Sequence, residues 1–81
     1  MQKMIHELEL FEEAVIVEIA HPDPAMQRRL LDLGFSEGSK VTKILISPGG
    51  DPSAYKVRGA TIALRQIDAR HVLANREDHH G

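Results

Sequence analysis

A helix-starting signal and a helix-ending signal bracket one short stretch of this chain, and the remaining apolar runs are short, β-branched and bounded by turn residues. That contrast limits the chain to a mainly β fold with one helix. Asp23 can accept hydrogen bonds from the free amides of a first turn, and Pro24 suits the first helical position because its missing N–H would have no partner there. Gly34 can take the left-handed conformation that ends a helix, which predicts a Schellman cap with Phe35 packed back on Leu30. At roughly 100° per residue, Met26, Leu30 and Leu33 fall within about 60° of one another and form one apolar stripe, with Arg28 and Asp32 on the far side. Leu31 lies about 100° from the centre of that stripe. Either the core face is wide enough to include it, or it is an exposed leucine beside Arg28 and Arg29, a combination suited to docking on another protein.

The flanking segments read as strands. Ala14 to Ala20 is rich in β-branched residues, and Val15, Val17 and Ile19 would share one face. His21-Pro22-Asp23-Pro24 ends it, since proline cannot donate to a ladder. Lys40 to Ile46 alternates at first and then breaks at Ile44-Leu45-Ile46, which a bulge or burial on both faces would explain. Ser47-Pro48-Gly49-Gly50-Asp51-Pro52-Ser53 is a loop. Tyr55 to Arg58 and Thr61 to Arg65 flank Gly59-Ala60, which predicts a type II′ hairpin with Tyr55, Val57, Ile62 and Leu64 facing the core. Gln66 to Arg70 fits a single helical turn, and His71 to Ala74 a last strand. Leu8, Leu10 and Phe11 are expected to lie down on the domain, with the first few residues frayed.

No helix separates the later strands, so no parallel βαβ unit forms. Small antiparallel sheets of this size usually close, which removes exposed edges. The reading is a single domain over residues 1–81: a small barrel of about five short antiparallel strands with one inserted helix, its core from about 8 to 75 and a flexible tail over 76–81.

Composition narrows function. There is no cysteine, hence no disulfide, thiolate nucleophile or cysteine-held metal site. The formal charge is −2 with ten scattered Lys and Arg, whereas nucleic-acid binders carry a basic stripe. Three aromatics, Phe11, Phe35 and Tyr55, are too few for a base-stacking platform. No apolar run is long enough to span a membrane, and Met1 to Glu13 lacks the basic start and apolar centre of a secretion signal, so the expected location is the cytoplasm. No Gly-x-x-x-x-Gly-Lys-Ser/Thr loop is present, and Gly49-Gly50 precedes Asp51-Pro52 rather than a helix. Ser36, Ser39, Ser47 and Ser53 stand near no evident base. These features predict neither an enzyme nor a cofactor.

Arg29-Leu30-Leu31-Asp32-Leu33-Gly34-Phe35-Ser36-Glu37-Gly38, then Pro48-Gly49-Gly50-Asp51-Pro52, then Val57-Arg58-Gly59-Ala60-Thr61-Ile62-Ala63-Leu64-Arg65 together resemble the ferrous iron transport protein A (FeoA) family. The resemblance runs in order from about Leu8 to Ala74. It implies an SH3-like barrel with an inserted helix, in agreement with the periodicity. It also implies a small cytosolic bacterial protein with an accessory role, working with ferrous iron transport protein B (FeoB), a membrane transporter whose cytosolic part is a GTPase. Such a protein would sit at the inner membrane only through that partner. Two positions depart from the family: Glu12-Glu13 and Glu37-Gly38 stand where Pro-Gly is frequent.

The partner-binding candidates are Arg28, Arg29, Leu30 and Leu31 on the helix and Pro48, Gly49, Gly50 and Asp51 in the loop, because loops on a rigid scaffold commonly carry recognition. Leu30 also fits the core, and the arginines also fit a solvated face. Of the histidines, His21 and His71 read as surface residues. His79-His80, beside Glu77 and Asp78, could catch stray metal or simply be solvated. The rival to the transporter partner is a stand-alone regulatory module, since iron-dependent repressors carry a similar SH3-like domain at their C-terminus and such a copy could bind a regulator protein. Oligomeric state is left open by the sequence.

Overall fold

Both helix caps form as their residues require. In the computed structural model, which describes residues 1–76, the Asp23 carboxylate accepts a hydrogen bond from the Ala25 N–H at 3.0 Å and Pro24 opens helix α1 (Pro24–Leu33). Gly34 takes φ 108°, and the Phe35 N–H donates to the Leu30 carbonyl at 2.9 Å. That is the long return bond of a Schellman cap. Leu30 and Phe35 are both fully buried.

Six strands form one antiparallel sheet: β1 (Gln2–Met4), β2 (Glu13–Ile19), β3 (Lys40–Ile46), β4 (Ser53–Val57), β5 (Ala60–Leu64) and β6 (Val72–Arg76). Their spatial order is β1-β6-β2-β3-β4-β5. A single turn of 3₁₀ helix covers Ile5–Glu7, and α2 (Gln66–Ala69) separates β5 from β6. The architecture is thus mainly β with one principal helix. Among the described residues no ladder joins β5 to β1; a shared core holds the two ends of the sheet together. Ile5, Ala14, Ile16, Leu30, Phe35, Val41, Tyr55, Val57, Leu64, Val72 and Ala74 belong to it. Full burial of a side chain such as Leu30 contributes about 1.5–3 kcal/mol.

Several expectations are corrected. The first residues do not fray: β1 pairs with β6 in the register Gln2↔Asn75, Lys3↔Ala74 and Met4↔Leu73, and Ile5 is fully buried. Arg76 is the last residue of β6 rather than part of a tail, and its N–H donates to the Met1 carbonyl at 3.0 Å. The rest of the expected tail, with Glu77, Asp78, His79 and His80, lies outside the described residues. Leu8 is buried as expected, but Leu10 and Phe11 are exposed. In β2 the register with β6 shifts between Ile16 and Glu18, leaving Val17 as the extra residue. Ala14 and Ile16 therefore face the core and Ile19 rejoins it, whereas Val15 and Val17 do not share that face. In β3 the break in alternation is a bulge, with the register shifting between Lys43 and Leu45. The β4–β5 turn is Arg58-Gly59, one residue earlier than expected. Both residues have positive φ, 49° and 81°, which makes it type I′ rather than II′.

Candidate partner-binding surfaces

On α1, Leu30 faces the core and Leu31 faces solvent at 43% exposure. Leu30 is therefore corrected from a docking residue to the anchor that seats the helix. Arg28 and Arg29 precede Leu31 by three and two residues; Arg28 Nε lies 3.8 Å from Asp32 Oδ1 one turn on, with both side chains largely in solvent. An exposed pair of this kind contributes little to stability and leaves the guanidinium accessible.

Pro48, Gly49, Gly50 and Asp51 are all exposed. The loop is closed by Gly50 N–H to Ser47 O at 2.7 Å and Ser47 N–H to Pro52 O at 3.2 Å. Asp51 also has a structural role, since its carboxylate accepts from the Gln66 N–H at 2.9 Å and satisfies a free amide in the first turn of α2. The structure does not merge the loop with the end of α1. The loop enters β4 at Ser53, whereas Gly34 packs against Arg58, just past the other end of that strand. At about 3.3 Å per residue, the five residues of β4 hold these ends roughly 16 Å apart.

A third surface is not among those the sequence suggests. Glu13, Lys40, Thr42, Lys56, Arg58 and Gly59 line an open groove of about 310 Å³ on the outer face of β2, β3 and β4. Its signal is alternation, Lys40 with Thr42 and Lys56 with Arg58, but only the register brings these residues together. Glu13 Oε1 and Lys40 Nζ stand 3.9 Å apart.

Charged and imidazole groups also mark the domain. Lys43 is only 5% exposed, and its Nζ donates to the His6 carbonyl at 2.7 Å and lies 5.8 Å from the centroid of the Tyr55 ring. Burial pushes this amine below its usual range, and the Glu12 carboxylate opposes that shift. Glu12 is held low, chiefly by the Glu9 N–H, with burial opposing and Lys3 and Arg76 assisting. His21 Nδ1 accepts from the Asp23 N–H at 3.0 Å, so the ring proton sits on Nε2 and points at Asp68 Oδ1, 2.8 Å away. The His71 ring meets it edge-on at 4.7 Å. Both His21 nitrogens are thus engaged. Among the described residues no three metal-ligating side chains converge. The cavity between His6, Asp51, Ser53, Tyr55 and Gln66 is about 20 Å³, the size of one water. No helix among the described residues is long and apolar enough to cross a membrane.

Known proteins resemble this chain in sequence and fold. A protein-family model described as the FeoA domain matches residues 4–76. A curated relative, the Fe(2+) transport protein A/Fe(2+) transporter FeoB fusion protein of Porphyromonas gingivalis, is 31% identical over 65 residues; the match covers 80% of this chain and 8% of that protein. FeoA of Stenotrophomonas maltophilia, described as a procaryotic SH3 domain protein and solved in complex with zinc, superposes with a TM-score of 0.76 at 35% identity, covering 93% of this chain and 89% of that one. IdeR of T. acidophilum superposes with a TM-score of 0.81 at 17% identity, over 94% of this chain and 34% of that one, a likeness of fold alone.

Proposed function

This chain belongs to the FeoA domain family, and on that premise we propose that it is a non-enzymatic accessory protein of ferrous iron uptake that acts by direct contact with the cytosolic part of an FeoB-type membrane GTPase-permease. The observation that carries this reading is the Porphyromonas gingivalis relative, in which the two proteins are one polypeptide. A covalent link holds two domains at high effective concentration, and separate chains must reach the same proximity through affinity. The protein would then work in the cytoplasm, reaching the inner membrane only through its partner.

The helix patch is the proposed contact: Leu31 as apolar anchor, with Arg28 and Arg29 beside it. The test is association of the full chain with the purified cytosolic part of the transporter. Leu31→Asp is expected to abolish association without changing the fold, because Leu31 contributes nothing to the core. Association that survives this change moves the contact off the helix. Failure of the wild-type chain to associate removes the reading itself.

The rival reading is a stand-alone regulatory module that binds a regulator protein. A likeness of fold to IdeR is what brings it into consideration. Recovery of tagged protein with the transporter from membranes supports the first reading, and recovery with a cytosolic regulator supports the second.

A further inference from the structure

Strand register turns separate surface residues into one organised face. Val15 pairs with Lys40, and the next position on the neighbouring strand is Arg58. One row on, Glu13, Thr42, Lys56 and Thr61 align across four strands. The following row holds Leu45, Ala54 and Ala63. Phe11 lies two residues before Glu13, and its N–H donates to the Lys43 carbonyl at 2.6 Å, which brings its backbone to this end of β3. The outer face therefore changes character along the strands, from cationic at the Arg58 end to apolar at the Leu45 end.

The apolar end is unusual in two respects. Phe11 is 69% exposed and Leu45 59% exposed, so two large apolar side chains stand in water at one end of the face. Phe11 also holds φ 68°, a left-handed conformation that strains a bulky residue. Neither its exposed ring nor its strained backbone serves the core. At the other end, Lys56 and Arg58 line the groove beside Lys40, whose ammonium is already 3.9 Å from the Glu13 carboxylate.

We propose that this face docks an acidic peptide segment of a partner protein, with an apolar side chain of the segment at the Leu45 end of the face and its carboxylates over Lys56 and Arg58. Charge complementarity selects the occupant: Lys56 and Arg58 facing one groove favour an anionic chain and disfavour a basic one. A concave groove of about 310 Å³ suits a peptide better than a flat lipid surface, and a chain of net charge −2 has little general attraction to anionic headgroups. The inference rests on the reading that this protein works by contacting another, and it adds a second surface, on the sheet rather than on α1.

The test is a titration of the isotope-labelled full chain with a synthetic peptide carrying one leucine and a run of glutamates, followed by NMR. A control peptide has glutamines in place of the glutamates. Shifts are expected at Thr42, Leu45, Lys56, Thr61 and Ala63, fading as salt is raised and absent with the control. Lys56→Glu is expected to weaken binding by about tenfold, as attraction becomes repulsion. Phe11→Gly is expected to weaken it too, without lowering the melting temperature, since glycine relieves the left-handed backbone. Equal binding of the two peptides, shifts confined to α1, or no shift at all overturns the site. So does stronger binding to phosphatidylglycerol vesicles than to the peptide, which would make the face a membrane surface. Peptide binding that persists in Leu31→Asp, the variant expected to lose the transporter, supports this site separately. A failed titration with transporter association intact removes this site and leaves the proposed function standing.

Discussion

A Cβ placed on Gly34 would lie 2.9 Å from Cδ of Arg58. The C-cap of α1 is thus roofed by a side chain from the β4–β5 turn, and two unrelated demands fall on the same residue. Its φ of 108° excludes most L side chains, and its missing Cβ makes room for the arginine stem.

Gly34→Ala is therefore expected to destabilise by about 1–3 kcal/mol, combining backbone strain with a contact that must shift. In a domain of this size each kcal/mol lowers the melting temperature by about 4–8 °C. Adding Arg58→Ala should return only the part due to the clash, because the positive φ remains. A double-mutant cycle by thermal denaturation separates the two, and full recovery would show that strain contributes nothing.

Adjacent leucines should respond in opposite ways. Leu30→Ala removes a fully buried side chain and is expected to cost about 2–5 kcal/mol. Leu31→Ala, at an exposed site outside the core, should change stability by no more than about 0.5 kcal/mol. Denaturant unfolding checks both. A large loss at Leu31 would mean that the helix packs on a different face in solution.

How much of the fold is legible in the sequence follows from how local each signal is. The α1 caps are legible because Asp23, Pro24 and Gly34 act within one turn of themselves. The β3 bulge is legible because Ile44-Leu45-Ile46 breaks a period of two. Strand β1 is not: three residues show no period, and their partners lie at the far end of the chain. The hairpin is displaced by one residue because Gly59 suits the second place of a type I′ turn as well as the first of a type II′ turn. What decides between them is a left-handed arginine, which no propensity favours. Of the candidate contacts, exposure separates Leu31 from Leu30, which the helical stripe also places in the core. The outer-face groove needs register, since Lys40 and Lys56 meet only once β3 and β4 pair.

Phe11 offers a stabilising change. Its left-handed φ strains the backbone and its exposed ring adds nothing to the core, so Phe11→Gly should relieve about 1–2 kcal/mol of strain. Glycine gives back roughly 0.5–1 kcal/mol through its greater freedom in the unfolded chain. The net expectation is a melting temperature unchanged or a few degrees higher. Phe11→Ala keeps the strain and serves as control, and a marked fall in the glycine variant would show that the ring packs on something in solution.

The alkaline limb of stability should report on Tyr55. It is the one tyrosine in the chain, so its ionisation can be followed without interference. Burial pushes its phenol up to about 12 from an ordinary 10, against a hydrogen bond with Ser53 that pulls the other way, with Asp51 adding a smaller upward push. A raised value means that the unfolded chain releases this proton first, so stability is lost as pH climbs from 10 towards 12 and the loss levels off beyond. Lys43 acts in the opposite sense. Its folded value lies below 10.5, so the penalty for burying its charge is relieved as pH rises towards 10.5. Wild-type stability should therefore hold or rise slightly before the tyrosine limb takes over. Tyr55→Phe should lack the falling limb and keep the rise. Phenolate absorbance gives the titration and denaturant unfolding at each pH gives the stability. A phenol titrating near 10 in the folded protein would mean that Tyr55 is reached by water and is not the wall between the core and the small cavity beside it.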